Sequence, residues 1–242
     1  MPPIAMGSHW SPRREPRDTP AVRHTGGRKR GDEPRFERKE SSLEFDRVAF
    51  FSDAVFAIAM TLLVVGIGIP EVRDSELGDA LRGKESEILS FFISFFVIGF
   101  YWLGHHQFFG LLASINTRLM RINLVYLAAI AFVPFPTALA GQYADEPVTI
   151  VIYAITLSVA SGLDALMEFV ANHDGLFRRT MPPPVLRFGM VASLIPVVVF
   201  LASIPIAFVD TQMALLSWIL IWPLEVIGHK RLRPADADEY FQ

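Results

Sequence analysis

The chain has 242 residues, 52% of them hydrophobic and only 19% charged, with 20 Phe and a formal net charge of −3. So little charge, gathered into a few stretches between long apolar blocks, excludes an ordinary soluble globular domain and points to a polytopic membrane protein. The absence of cysteine removes disulfides, thiol nucleophiles and thiolate metal sites from consideration.

Residues 1–42 contain "SPRREPRDTPAVRHTGGRKRGDEPRFERKE", rich in Arg, Pro and Gly with almost nothing apolar to bury. They read as a disordered, basic cytoplasmic tail. No apolar h-region follows the start, so this is not a signal peptide. Such a run can touch anionic lipid or nucleic acid, but a solvated tail accounts for it and no nucleic-acid partner is expected. Residues 43–230 read as a six-helix transmembrane domain and 231–242 as a short cytoplasmic C-terminal tail, giving an all-α fold. The six apolar segments run approximately over 47–69, 87–109, 119–141, 148–171, 187–208 and 211–228, each near the ~20 residues a bilayer requires. Breaks fall at Pro70, at "GQYADEP", at "HDGLFRRTMPPP" and at the short "FVDTQ". Pro134 and Pro136 should kink the third span.

Orientation follows from positive charge. Eleven Lys or Arg lie between Met1 and Arg47, and further ones mark the second-to-third connection (Arg118, Arg121), the fourth-to-fifth connection (Arg178, Arg179, Arg187) and the C-terminus (Lys230, Arg231, Arg233). The opposite loops hold only Arg73, Arg82 and Lys84. Both termini are therefore expected in the cytoplasm, which requires an even number of spans. No loop is long enough for a soluble catalytic domain.

The first span, "RVAFFSDAVFAIAMTLLVVGIGIP", carries Asp53 inside an apolar helix. At 100° per residue, Arg47, Phe51, Ala54, Ile58, Thr61 and Val65 share one stripe, with Leu62 at its edge. The alternating steps of four and three are the seam of a packed helix. Periodicity alone is met by helix packing or lipid contact as well as by a pore. Ser52 and Asp53 lie off this stripe, and Asp53 faces away from Arg47. A membrane carboxylate needs partners. Those at matching depth are Trp102, His105 and His106 on the second span and Asn123 on the third, which either lock three helices together or, through a histidine, sense protons.

Arg47-x-x-x-Phe51-Ser52-Asp53, running on into "AVFAIAMTLLV", resembles the signature of the transmembrane protein 175 family, potassium channels of endolysosomes with bacterial relatives; "YWLGHH" in the second span adds to the likeness. The resemblance implies a channel fold without a pore loop. It also implies, since the signature occurs once, a single-repeat bacterial type that forms homotetramers. First helices would surround the axis, with Ile58 at the constriction, Leu62 and Val65 as further apolar layers, and Thr61 as the hydroxyl beside them. Arg47, Phe51, Ser52 and Asp53 would anchor the pore helix. The expected partners are further copies of the chain, the lipid bilayer of a bacterial inner membrane and permeant potassium. No cofactor or resident metal is implied. A ring of apolar side chains can gate by dewetting, and Glu71, Asp74, Glu76 and Asp79 of the first loop could concentrate cations. Arg47 projects onto the stripe and is expected to turn aside toward a neighbouring helix.

A proton-coupled secondary transporter using Asp53, His106, Asp164 and Glu168 is the alternative. Adjacent His105 and His106 make a poor metal pair, and no phosphate loop, nucleophile elbow or HExxH motif is present, so an enzyme is not expected.

Overall fold

The computed structural model describes residues 35–232, with side chains from 43 to 228. Among the described residues there are helices and no strands, apart from one isolated antiparallel bridge between Leu112 and Phe177. Six stretches are long and apolar enough to cross a membrane: Leu43–Ile67, Glu85–Leu111, Thr117–Gln142, Pro147–His173, Pro183–Ala207 and Thr211–Gly228. They coincide with the six segments expected from the sequence to within a few residues.

α1 (Arg35–Leu62) starts inside the N-terminal stretch read above as tail, because "RFERKE" consists largely of good helix formers continuous with the span. Residues 1–34 and 233–242, with any lipid or nucleic-acid contact of the basic tail, lie outside the described residues. The first span tightens into a 3₁₀ turn at Leu63–Ile67 and ends at Gly68, whose φ of 64° is one a side chain would resist. The first loop holds a short helix, α2 (Leu77–Arg82), and its acidic residues are exposed. α3 (Glu85–Leu111) carries acids in its first turn, where they complement the helix dipole.

The third span is broken where the two prolines stand. α4 (Thr117–Phe132) stops and α5 (Pro134–Gln142) begins, since Pro134 cannot donate to the helical ladder. The Thr137 hydroxyl donates to the Val133 carbonyl at 2.9 Å, covering a backbone group at the break. α6 (Pro147–His173) opens with proline at its first turn, as does α7 (Pro183–Ala207), which also contains Pro196 and Pro205. The sixth span divides into α8 (Thr211–Ser217), a 3₁₀ turn and α9 (Ile221–Leu232).

The core lies around α6. Over the most apolar stretch of each span, 56% is buried in the fourth against 11% in the sixth, so α6 is the axis of the protomer and the others wrap it. Lipid tails are as apolar as leucine, so packing and interhelical hydrogen bonds decide the arrangement. Ser94, Thr137 and Tyr153 tie α3, α5 and α6 through hydroxyl contacts of 2.6 and 2.8 Å. Tyr101 Oη meets Ser161 Oγ at 2.6 Å, and Trp218 Nε1 donates to Ser203 Oγ at 2.9 Å.

At the far ends of α3 and α6 two connections clasp. Ala113 N donates to Leu176 O at 2.8 Å and Arg178 N to Leu111 O at 3.0 Å. Asn116 caps α4 by accepting from Leu119 N, and its Nδ2 donates to Asp174 at 2.8 Å. Hydrogen bonds from His173 and Asn116 hold the Asp174 carboxyl below the usual aspartate range.

Candidate functional site

α1 has two chemically opposite faces. Ser52, Phe56, Ala59 and Leu63 are buried against α3 and α4, spaced four, three and four residues apart. On the other side Phe51, Ile58, Leu62 and Val65 are 52%, 57%, 47% and 71% exposed. Ala54, Thr61 and Arg47 are exposed with them. The stripe read from periodicity is thus the face the protomer leaves uncovered.

The buried face is held by a directional chain. Ser52 Oγ donates its only hydrogen to the Val48 carbonyl at 2.9 Å, so its oxygen must accept, and it does so from Asn123 Nδ2 at 3.0 Å. That turns Asn123 Oδ1 toward His105 Nε2 at 2.8 Å, which requires the proton on that nitrogen. The His105 ring is stacked between Phe109 and Tyr126, with centroids 4.3 and 5.5 Å away, and touches Phe56 at 5.4 Å. Three helices are thereby pinned at one depth by a fully enclosed polar path.

Asp53 makes a separate contact, accepting from Trp102 Nε1 at 2.8 Å. Of the four partners proposed for it, Trp102 alone bonds it; His105 and Asn123 bond each other and reach Ser52. His106 is exposed and lies against the Trp102 ring at 5.5 Å, because it sits 100° around α3 from His105. Arg47 is exposed and forms no ion pair among the described residues. Within one chain, then, Ser52 and Asp53 tie α1 down while Arg47 and Phe51 face outward.

Thr61 Oγ1 donates to the Ile58 carbonyl at 2.8 Å, which satisfies its hydrogen and leaves its oxygen on the open face. Gly66 allows the 3₁₀ turn to close on α5, where an added Cβ would stand 3.1 Å from Ala138 Cβ. The residues of the carrier reading do not gather: Asp53 is bonded to Trp102 and His106 is exposed, whereas Asp164 and Glu168 lie on α6 against α7. Among the described residues no group of three or more His, Cys, Asp or Glu is placed to hold a metal. The hydroxyl locks of Ser94, Tyr101 and Ser161 were not singled out in the sequence, although Ser94, Ile98, Tyr101 and His105 repeat the steps of four and three seen in α1.

This is a multi-pass, all-helical membrane protein whose first helix is locked on one side and bare on the other. The model of the family described as "Endosomal/lysosomal potassium channel TMEM175" matches residues 47–134. A potassium channel of Streptomyces collinus is 32% identical over 178 residues, covering 71% of this chain and 86% of that one. A potassium channel of Chamaesiphon minutus is 37% identical over 140 residues, 55% of this chain and 69% of its own. The crystal structure of a lysosomal potassium-selective channel TMEM175 homolog from Chamaesiphon minutus superposes with a TM-score of 0.65 at 25% identity, covering 79% of this chain and 99% of that one. The chain belongs to the TMEM175 family.

Proposed function

We propose that the chain is a potassium-permeable channel of a bacterial plasma membrane, assembled as a homotetramer with both termini in the cytoplasm. The observation that carries this reading is the bare stripe of α1: Ile58, Leu62 and Val65 stay exposed while the opposite face is fixed by hydrogen bonds. One stripe cannot enclose a path, but symmetric copies of it around an axis can. Ile58 then forms the constriction, Leu62 and Val65 line the layers beyond it, and Thr61 presents its oxygen beside the narrowest point. An apolar ring excludes ions by dewetting until it widens. Exposed Glu71, Asp74 and Glu76 at the mouth raise the local cation concentration, while Asp79 is engaged by Arg82 at 2.9 Å. The relatives named as potassium channels support the choice of ion. The reading is of a channel and not of an enzyme.

The test is Ile58→Asn in the purified protein, recorded in planar bilayers under bi-ionic potassium and sodium. A polar ring should raise the leak or relax the preference for potassium. Unchanged conductance and selectivity would overturn the assignment of the constriction.

A further inference from the structure

The inward side of α4 is fixed, and that decides what its outward side presents. Asn123 is hydrogen-bonded to His105 on α3 and to Ser52 on α1, and Leu119, Tyr126, Leu127 and Ile130 are buried with it. Arg121 lies about 200° around the helix from Asn123, so it points out of the protomer. Arg118, Arg121, Val125, Ala128 and Phe132, at steps of three and four residues, are all exposed. Phe135, whose ring centroid is 5.2 Å from that of Phe132, extends this stripe past the proline break. Two charges therefore end a stripe that is otherwise apolar.

Neither arginine is fully engaged. Arg121 forms no hydrogen bond or ion pair among the described residues. Arg118 approaches Asp174 only to 3.7 Å, and its side chain is 57% exposed. Asp174 is already served at 2.8 Å by both Asn116 and His173, and α4 itself carries no acidic residue.

Depth narrows what can meet them. α4 opens the third span, and Arg121 stands four residues, about 6 Å, inside its start at Thr117. Helical side chains tilt toward the N-terminus, which is here the membrane surface. The Arg121 stem can thus lie along acyl chains while its guanidinium reaches the headgroup layer. The anion a bilayer offers at that level is a lipid phosphate, which a guanidinium grips with two parallel hydrogen bonds. The positive end of the α4 dipole points the same way. From Val125 to Phe135 the apolar stripe rises about 15 Å, the hydrocarbon depth of one leaflet. A zwitterionic headgroup would bring a cation of its own to two arginines, and an anionic one does not.

We propose that the outer face of α4 docks an anionic phospholipid, its phosphate held by Arg118 and Arg121 and its acyl chains lying along Val125, Ala128 and Phe132. The bound lipid neutralises charge at the start of α4 and steadies the helix that holds Ser52 of α1. The surface belongs to a different helix from the bare stripe of α1, so it does not rest on the pore reading and its test needs no conduction.

The experiment is melting of the purified, delipidated full-length protein in detergent as phosphatidylglycerol is added. Saturating lipid should raise the melting temperature by about 3–6 °C. Arg121→Gln should lose at least half of that shift, and the double variant Arg118→Gln/Arg121→Gln all of it. An undiminished shift in the double variant overturns the proposal. So does an equal shift from phosphatidylcholine, or from inorganic phosphate, which would mark a site for free anions. A double variant whose assembly changes size in lipid-free detergent also overturns it, because the stripe would then be a contact between copies. A second measurement uses wild type alone: about 0.5 M sodium chloride should weaken the phosphatidylglycerol shift, and a shift that salt leaves intact refutes a phosphate held by charge.

Discussion

Asn123 offers the sharpest test of how α1 is held. It is 2% exposed and makes two interhelical hydrogen bonds, to His105 at 2.8 Å and to Ser52 at 3.0 Å. Asn123→Ala deletes both. Interhelical hydrogen bonds in membranes contribute about 0.6–1.7 kcal/mol each, so together they account for about 1–3 kcal/mol. Ser52 keeps its bond to Val48 O and is not orphaned. His105, also 2% exposed, is left with a buried N–H and no acceptor, which adds about 1 kcal/mol or more. A loss of about 2–4 kcal/mol corresponds to a melting temperature lower by about 5–10 °C. Size-exclusion chromatography of heated, detergent-solubilised protein reads this directly. Leu124→Ala, on the exposed side of the same helix, serves as the control. Combining Asn123→Ala with Ser52→Ala should cost less than the sum of the singles, because both remove the same bond. A melting temperature within about 1 °C of wild type, or strict additivity, would refute the locked-face account.

Two further outcomes follow from other contacts. Gly141→Ala should destabilise by about 1–3 kcal/mol through overpacking, since the new Cβ would meet Glu87 Cα at 2.8 Å, a backbone atom that cannot step aside. Gly162→Ala meets nothing within 4 Å and should be neutral or stabilising in the same melt, so equal effects at the two sites would refute the close α3–α5 approach. Asp174 has its carboxyl held below the usual aspartate range, chiefly by the His173 and Asn116 hydrogen bonds. Its contribution is therefore full above that range and lost as pH falls through the lower folded value. The melting gap between wild type and Asp174→Asn should be present at neutral pH and close on acidification; a gap that widens in acid would contradict the clasp.

The spans were legible in the sequence because length and apolarity are hard requirements of a bilayer, and the break at Pro134 because proline cannot donate. The division of the sixth span at Trp218–Leu220 was not read, although Pro223 just beyond it removes a ladder donor, and the small helix Leu77–Arg82 was not because six residues carry too little period. At the candidate site, depth matching found Trp102, His105 and Asn123 but could not distinguish His105 from His106, because the rotation of α3 decides which faces inward. The information was present nonetheless: Ser94, Ile98, His105, Phe108 and Leu112 are buried in the same step pattern that orients α1.

The division of the RxxxFSD residues limits what can act between subunits. Ser52 has both of its hydrogen bonds inside the protomer, whereas Asp53 accepts one, from Trp102 on Oδ1, and its carboxylate keeps capacity for another donor. Thr61 satisfies its own hydrogen on the Ile58 carbonyl, so its exposure would be tolerated against lipid as readily as against water. Arg47 is different. It is exposed and always charged, and it ends an otherwise apolar stripe. Against acyl chains such a group is costly unless it reaches water or an anion. In the ring proposed above, Arg47 would fall at the aqueous mouth and Phe51, one turn deeper, would be free to meet an adjacent copy. Both outward residues of the motif then have a physical reason for facing away from the helix that Ser52 and Asp53 secure.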